Sequence, residues 1–372
     1  MFDRYEKISE KNKDYNGKFF TGVKTTGIYC LPSCSAKTPR RENVEFFDTI
    51  LLAEAAGYRP CKKCFPTVFD VHWNDFKNYI EIIPPEEFSF EECLVYLNRS
   101  DIECLHKVKN GEVLKFVRFG EWDVLLGMRK DGPNIRVSFL NRIPPKWVRA
   151  KAAKYVWDMF DLQTNLEPFY ELATHDDILK TLIARYKGLR IVKIDDLFEC
   201  LCWAVIGQQI NLKFAYTLKK RLVENHGGKL DFDGDMYFTF PSAEVISMLQ
   251  VEDLKQLQFT TRKTEYLIGI AQLCADGILK KEELNLEKDY EKLKKRLESI
   301  RGIGSWTADY TIMKCFNLNS AFPLADVGIH NALKGILGRD HKPALHEIQK
   351  FTEGWRGFEA YAAFYIWRWL YD

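Results

Sequence analysis

One stretch decides the fold of this chain: Leu-Glu-Ser-Ile-Arg-Gly-Ile-Gly-Ser-Trp-Thr-Ala-Asp-Tyr at 297–310, followed by Ala-Phe-Pro-Leu-Ala-Asp-Val-Gly-Ile-His at 321–330. The glycines at 302 and 304 can adopt backbone conformations that other residues avoid, and Ser305 is predicted to cap the helix that follows. The pattern therefore predicts a helix, a hairpin and a second helix. A hairpin of this kind directs unpaired backbone N–H groups toward one point, which favours the binding of a phosphate group.

Each part of this stretch, taken alone, has an ordinary structural explanation. Gly-x-Gly is a weak motif, and an aspartate before an apolar helical run is usually only a helix cap. The full string, however, resembles the helix-hairpin-helix DNA glycosylases, in which Gly-Ile-Gly-x-Trp-Thr-Ala is followed by Phe-Pro-x-x-Asp. The resemblance implies that Gly302 and Gly304 bind a DNA phosphate and that Asp326 is catalytic.

Three aromatic residues match positions that line the base pocket of AlkA-type 3-methyladenine DNA glycosylases: Trp306, Tyr310 and Trp367. Without the resemblance, helically spaced aromatic residues are core residues more often than ligands. A base alkylated on a ring nitrogen is cationic, so electron-rich rings attract it, and it departs from DNA through an oxocarbenium-like state that Asp326 would stabilise. Trp306 stands where bifunctional relatives carry a Schiff-base lysine, so the resemblance implies a monofunctional hydrolase.

Four of the ten cysteines form two close pairs, Cys30-x3-Cys34 and Cys61-x2-Cys64. This spacing predicts one tetrahedral zinc ion, and most sites of this kind are purely structural. The surrounding sequence, Thr-Thr-Gly-Ile-Tyr-Cys-Leu-Pro-Ser-Cys at 25–34 and Gly-Tyr-Arg-Pro-Cys-Lys-Lys-Cys at 57–64, closely resembles the amino-terminal domain of Ada.

The resemblance to Ada implies a second activity. In that family a zinc-bound cysteine accepts a methyl group from a methylated DNA phosphate, and this role falls on Cys30, with the other three cysteines as further ligands. The zinc ion would then be both structural and thiolate-activating, because it keeps the thiolate ionised. Arg41 and Arg59 lie in the matching segments, and we expect them to contact DNA phosphates.

The rest of the chain fits an α+β multidomain protein. We expect an Ada-like zinc domain at 1–70, a connector at 71–84, an AlkA-like α+β domain with a small antiparallel sheet and helices at 85–165, and an all-α helix-hairpin-helix glycosylase core at 166–372. Alternating runs at 113–117 and 135–139 predict the sheet. Gln209 occupies the position at which AlkA-type enzymes fill the gap left by the extruded base.

Composition sets limits on function without deciding it. A net charge of +2 does not by itself indicate a nucleic-acid partner, so any binding of double-stranded DNA must depend on local clusters of Lys and Arg.

No apolar run is long enough to span a membrane, and the opening residues do not resemble a signal peptide, so we expect a cytoplasmic protein. We also expect it to be a monomer. Endonuclease III relatives in the resembled superfamily hold an iron–sulfur cluster on four closely spaced cysteines after the catalytic aspartate. Here no cysteine follows Cys315, so the resemblance implies that no cluster is present. Two other interpretations are an alkylation sensor or DNA-binding regulator without glycosylase activity, and a lyase for oxidised bases, which Trp306 disfavours.

Overall fold

A computed structural model of the chain describes residues 3–372, so the first two positions of the predicted zinc domain lie outside the described residues. The first sheet has four short strands in the order β3-β1-β2-β4, with β2 and β4 parallel and the other pairs antiparallel. Its elements are α1 (Arg4–Ser9), β1 (Phe20–Val23), β2 (Ile28–Cys30), β3 (Val44–Phe47), α2 (Ile50–Ala55) and β4 (Arg59–Pro60).

A six-stranded antiparallel sheet follows, in the order β5-β6-β10-β9-β8-β7, with two helices. Its register places a buried apolar row across four strands: Ile80, Val137, Met128 and Val113. The elements are β5 (Trp73–Asp75), β6 (Tyr79–Ile82), α3 (Phe90–Leu97), β7 (Lys107–Lys109), β8 (Glu112–Phe119), β9 (Trp122–Asp131), β10 (Asn134–Phe139) and α4 (Lys146–Met159).

Residues 71–84, for which a connector is predicted, contain the first two strands of this sheet. Ile80 and Ile82 are fully buried there and pair with the central strand β10. Alternation over three or four residues is too short to separate a strand from an extended linker. The remaining domain limits stay predictions.

The last part of the chain is helical, with one two-stranded hairpin. Its elements are α5 (Glu167–Leu172), α6 (Asp177–Tyr186), α7 (Leu197–Gly207), α8 (Leu212–His226), β11 (Lys229–Phe232), β12 (Asp235–Phe238), α9 (Ala243–Ser247), α10 (Val251–Lys255), α11 (Thr261–Ala275), α12 (Lys281–Leu284), α13 (Tyr290–Glu298), α14 (Ser305–Cys315), α15 (Val327–Ile336), α16 (Leu345–Gly354) and α17 (Glu359–Arg368). The predicted α+β class is confirmed. No helix in the described part of the chain is both long enough and apolar enough to cross a bilayer.

Helix α14 is the centre of the helical part. From Thr307 to Cys315 every residue is buried, while Gly304 and Ser305 at its start are exposed. Its core positions pack within one large apolar cluster that also includes the six-stranded sheet and α17. The core therefore fixes the helix and leaves only its amino-terminal end at the surface.

Candidate active site and metal centre

The predicted hairpin lies between α13 and α14. Gly302 has φ +96, and a Cβ atom there would lie 2.4 Å from the Tyr266 ring, so both conformation and space require glycine. The predicted cap is wrong by one position: α14 begins at Ser305, and Gly304 is its N-cap, with the carbonyl of Gly304 accepting from the N–H of Ala308. No side chain caps this helix in the described structure, so its first backbone N–H groups are open at the surface to an anion.

Asp326 is the N-cap of α15 and accepts hydrogen bonds on both carboxylate oxygens. Oδ1 accepts from the backbone N–H of Ile329 and from Trp367 Nε1, each at 2.9 Å. Oδ2 accepts from Trp306 Nε1, also at 2.9 Å. The carboxylate is half-buried. Three N–H donors from three helices therefore hold it in one orientation.

The three predicted pocket aromatics lie together beside this carboxylate. Trp306 and Tyr310 are stacked with ring centroids 5.5 Å apart, and Tyr310 and Trp367 are 6.0 Å apart. The Tyr310 hydroxyl accepts a hydrogen bond of 2.9 Å from Trp203 Nε1 on α7. The structure thus brings together all four residues that the sequence placed in a base site.

The loop after α7 lies against the hairpin. Gln208 Nε2 donates to the carbonyl of Gly302 and to Thr307 Oγ1, both at 2.9 Å. The next residue, Gln209, is exposed and has a left-handed backbone, with φ 55. The loop therefore presents Gln209 outward from a position fixed by its neighbour.

Gln208 and Trp203 also belong to this site, although no pattern in the sequence assigns them to it. Nothing in the sequence marks Gln208 as a site residue, because polar residues are common at helix ends. Trp203 gives a weak indication, since a buried indole N–H needs an acceptor, but the helical pattern does not show where that acceptor lies.

The four paired cysteines meet at one point. Their Sγ atoms all lie within 4.8 Å of one another, and those of Cys34 and Cys61 are 3.9 Å apart. A tetrahedral zinc with Zn–S bonds of about 2.3 Å requires sulfur atoms about 3.8 Å apart, so the donor set fits one zinc ion. Hydrogen bonding with the sulfur atoms of Cys34, Cys61 and Cys64 raises the pKa of the Cys30 thiol, and a cation among the four sulfur atoms would oppose this rise.

The environments of the four sulfur atoms differ. The backbone N–H of Leu31 donates to Cys64 Sγ and that of Lys63 to Cys61 Sγ, each at 3.4 Å. Cys34 and Cys61 are buried, whereas Cys30 and Cys64 are half-buried, and no backbone N–H donates to Cys30 Sγ within the described residues. Of the two half-buried cysteines, Cys30 is therefore the one whose sulfur atom accepts no backbone N–H in the described structure.

The two arginines predicted to contact phosphates have different surroundings. Arg41 forms a 2.5 Å ion pair with Asp3 and lies 5.1 Å from the centre of the Tyr5 ring. The side chain of Arg59 is exposed on β4 and forms no ion pair within residues 3–372. Arg59 is the freer of the two for an external anion.

Comparisons with known families agree with this architecture. The metal binding domain of Ada matches residues 3–67, the N-terminal domain of 8-oxoguanine DNA glycosylase matches 83–201, and the HhH-GPD superfamily of base excision DNA repair proteins matches 202–356. The structure of a 3-methyladenine DNA glycosylase from Archaeoglobus fulgidus shares the fold, with a TM-score of 0.65 and 22% identity over 78% of this chain and 97% of that one.

Two relatives match different parts of the sequence. The DNA-3-methyladenine glycosylase of Bacillus subtilis (strain 168) is 40% identical over 302 residues, which cover 80% of this chain and 99% of that protein. Ada of Escherichia coli (strain K12), a bifunctional transcriptional activator and DNA repair enzyme, is 44% identical over 63 residues, or 17% of this chain and 18% of that protein. The predicted fusion is confirmed: the chain belongs to the DNA-3-methyladenine glycosylases of the HhH-GPD superfamily and carries an Ada-type zinc-binding domain ahead of its glycosylase domains.

Proposed function

We propose that this protein is a monofunctional glycosylase that hydrolyses the N-glycosidic bond of alkylated purines, of the 3-methyladenine and 7-methylguanine type, in double-stranded DNA. One observation carries the proposal: the Asp326 carboxylate is held by the indole N–H groups of Trp306 and Trp367, two residues of the aromatic cluster. The name of the Bacillus subtilis relative supports the choice of substrate.

DNA binding follows from the hairpin and the adjoining loop. The open N–H groups at the start of α14 bind a backbone phosphate without reading sequence. Gln209, exposed on its fixed turn, enters the space vacated when the damaged nucleotide rotates out of the helix. Extrusion of a base costs a few kcal/mol, and this side chain offsets part of that cost by keeping the gap filled.

Chemistry follows from the charges. A purine alkylated on a ring nitrogen is cationic, stacks on the aromatic cluster and is a good leaving group. Breaking the C1′–N bond leaves positive charge on the sugar, which the Asp326 carboxylate stabilises while it orients the attacking water. Trp306 occupies the position of the Schiff-base lysine in bifunctional relatives. Its indole nitrogen donates a hydrogen bond to Asp326 and is not a nucleophile, so no Schiff base forms and the DNA strand is not cut.

The decisive experiment is single-turnover base release from alkylated duplex DNA by the wild type and by Asp326→Asn. Asparagine also caps helices well, so the variant should fold. Asp289→Asn is the matched control, because Asp289 caps α13 in the same manner. Release that collapses only in Asp326→Asn, with DNA binding preserved, supports the proposal. If the wild type binds DNA and releases no base, the protein is a sensor or regulator instead.

We further infer that Cys30 accepts a methyl group from a methylphosphotriester in DNA. Cys34 and Cys61 are buried, and the half-buried Cys64 accepts the backbone N–H of Leu31. Cys30 is half-buried and its Sγ accepts no backbone N–H, which favours this residue as the acceptor. A bound zinc ion keeps the sulfur ionised at neutral pH. Cys30 Sγ forms a bond to the methyl carbon while the methyl C–O bond breaks, and the electron pair of that bond remains on the phosphate oxygen as a phosphodiester.

Mass spectrometry of peptides tests the transfer. After incubation with methylphosphotriester DNA, the peptide that contains Cys30 and Cys34 should gain the mass of one methylene group, which its fragment ions should place on Cys30. The peptide that contains Cys61 and Cys64 should not gain this mass. A protein that binds zinc and remains unmodified has a purely structural metal site.

A further inference from the structure

A buried lysine lies beside the loop that presents Gln209. Lys263, in the first turn of α11, has an exposed fraction of 9%, and its Nζ donates a hydrogen bond of 2.7 Å to the backbone carbonyl of Ile206. Within the described residues this is the one hydrogen bond of an ammonium group that carries three N–H donors. Burial lowers the pKa of Lys263, and no carboxylate in residues 3–372 forms an ion pair with it.

The carbonyl that Lys263 contacts belongs to the carboxyl end of α7. The last carbonyl groups of a helix have no partner within the helix, and the helix dipole places partial negative charge there. Ile206 is completely buried, one residue before the end of α7, so water does not reach this carbonyl. The ammonium group therefore supplies both a donor and a positive charge to a helix end that would otherwise be unsatisfied.

The residues that follow α7 form a turn next to the hairpin. Gln208 attaches this turn to the hairpin, because its side-chain N–H donates to the carbonyl of Gly302. Tyr266, one helical turn after Lys263, has its ring against Gly302. Helix α11 therefore contacts both structures that border the turn, the end of α7 through Lys263 and the hairpin through Tyr266.

Gln209, at this turn, has a strained backbone. Its φ of 55 is left-handed, a conformation that a residue with a side chain keeps only where the surrounding contacts fix it. The bond from Lys263 holds the end of α7 before the turn, and the bond from Gln208 holds the turn itself. The buried charge thus lies at the point from which the direction of the Gln209 side chain is set.

We propose that Lys263 is a positioning residue for base extrusion, which holds the end of α7 so that the Gln209 side chain enters the gap left by the damaged nucleotide. This inference rests on the proposed function and extends it from the group that fills the gap to the group that aims it. Lys263 is buried and bonded to α7, so it acts through Gln209 and not on the base. A side chain that only stabilised the fold would affect all substrates alike, whereas a positioning residue affects those whose extrusion is difficult.

The test measures single-turnover release of 7-methylguanine by the wild type and by Lys263→Met, which keeps most of the side-chain length and removes the charge and the donors. Two duplexes are compared, with the lesion opposite cytosine or opposite an abasic site. Loss of a charge-assisted hydrogen bond should slow release opposite cytosine by about 10-fold and release opposite the abasic site by less than about 3-fold. Lys115→Met is the matched control, because Lys115 on β8 also donates to a backbone carbonyl, that of Leu105 at 3.4 Å. It should leave both rates at wild-type values.

A double-mutant cycle shows whether Lys263 acts through Gln209. Once Gln209→Gly has removed the side chain, Lys263→Met should slow release opposite cytosine by less than about 2-fold more. A full additional loss in that background, or equal slowing on both duplexes by Lys263→Met alone, overturns the inference and leaves Lys263 as a stabiliser of α7. If Lys263→Met does not fold, Lys263→Gln, which keeps a neutral donor, takes its place with the same expectations.

Failure of the proposed function is recognised separately. If the wild type releases no base, extrusion is followed by the fluorescence of 2-aminopurine placed next to the lesion, which rises when the neighbouring base leaves the stack. A rise on binding of the wild type that is weaker in Lys263→Met and unchanged in Lys115→Met supports the positioning role without any chemistry. A rise that is the same in all three proteins, or absent from the wild type, contradicts it.

Discussion

Trp367 donates its indole N–H to Asp326 Oδ1 at 2.9 Å, across 41 positions of sequence. The bond joins the helix α17 to the cap of α15, so the aromatic cluster and the carboxylate are positioned by the same side chain. A base stacked on Trp367 would therefore lie at a fixed distance from the group proposed to stabilise its departure.

Removal of this donor should slow base release while leaving DNA binding intact. Trp367→Phe keeps most of the aromatic surface and deletes only the N–H. A hydrogen bond to a charged group contributes about 1.5–3 kcal/mol, so we expect single-turnover release to fall by about 10- to 100-fold. Trp355→Phe serves as the control, because its indole N–H also binds a carboxylate, that of Asp176. An unchanged rate in Trp367→Phe would mean that the remaining donors suffice to orient Asp326.

The hairpin glycines should differ in their tolerance of a methyl group. At Gly302, alanine meets both a positive φ and the Tyr266 ring, and we expect a loss of about 1–3 kcal/mol of stability together with weaker DNA binding. At Gly304, φ is −97 and no atom lies within 4 Å of the added Cβ, so alanine should fold normally. Thermal unfolding and DNA affinity measured on both variants check this order, and similar losses in both would contradict it.

Gln209 should matter for extrusion rather than for folding. Glycine relieves the left-handed backbone, so Gln209→Gly should stay within about 1 kcal/mol of wild-type stability. Release of a lesion paired with a normal base should nevertheless fall, because nothing fills the gap. The same lesion opposite an abasic site offers less resistance to extrusion, and its release should change little. Equal effects on the two substrates would remove Gln209 from the proposed role.

The hairpin, Asp326 and the cysteine cluster are predictable from the sequence because each depends on residues close together or on a motif whose residues recur in order. The aromatic trio is predictable only through the resemblance to AlkA-type enzymes, since Trp367 lies 41 positions beyond Asp326. The bonds from Trp306 and Trp367 to separate oxygens of Asp326 could not be predicted, since helical periodicity gives the face of a residue but not the direction of its N–H. The contacts of Gln208 could not be predicted for a similar reason, because its partners lie 94 and 99 positions away.

Two errors have simple physical causes. The sequence predicts Ser305 as the cap because serine is strongly preferred there, but glycine is also accepted, and the carbonyl of Gly304 already accepts the first hydrogen bond of the helix. The sequence predicts a connector at 71–84 because short strands lack a long alternating pattern, whereas pairing with β10 buries two isoleucines in that segment.

Removal of zinc should unfold the first domain selectively. Its apolar core is small, with Phe20, Tyr29, Leu31, Phe47 and Ala53 as the buried members of its main cluster. A metal site contributes much of the folding energy in such a module. Cys34→Ser should lose zinc, measured by elemental analysis, and become protease-sensitive within residues 3–67 while base release persists. Cys274→Ser, outside the cluster, is the control and should retain one zinc ion per chain.

Glu199 should make stability depend on pH. Burial is the main cause that raises its pKa to about 7; Asp196 and Glu103 add to the rise, while Lys115 and Lys219 oppose it. In the unfolded chain the pKa of this carboxyl group is about 4.3, so between pH 4.3 and about 7 the folded protein binds the proton more strongly and stability falls as pH rises.

Glu199→Gln removes the ionisable group and with it this loss of stability. Its advantage over the wild type in free energy of unfolding should therefore grow from about 1 kcal/mol at pH 5 toward about 3 kcal/mol at pH 8. Urea unfolding at the two pH values measures the difference, with exposed Glu252→Gln as the control. An advantage that is the same at both pH values would show that Glu199 is already ionised in the folded protein at pH 5.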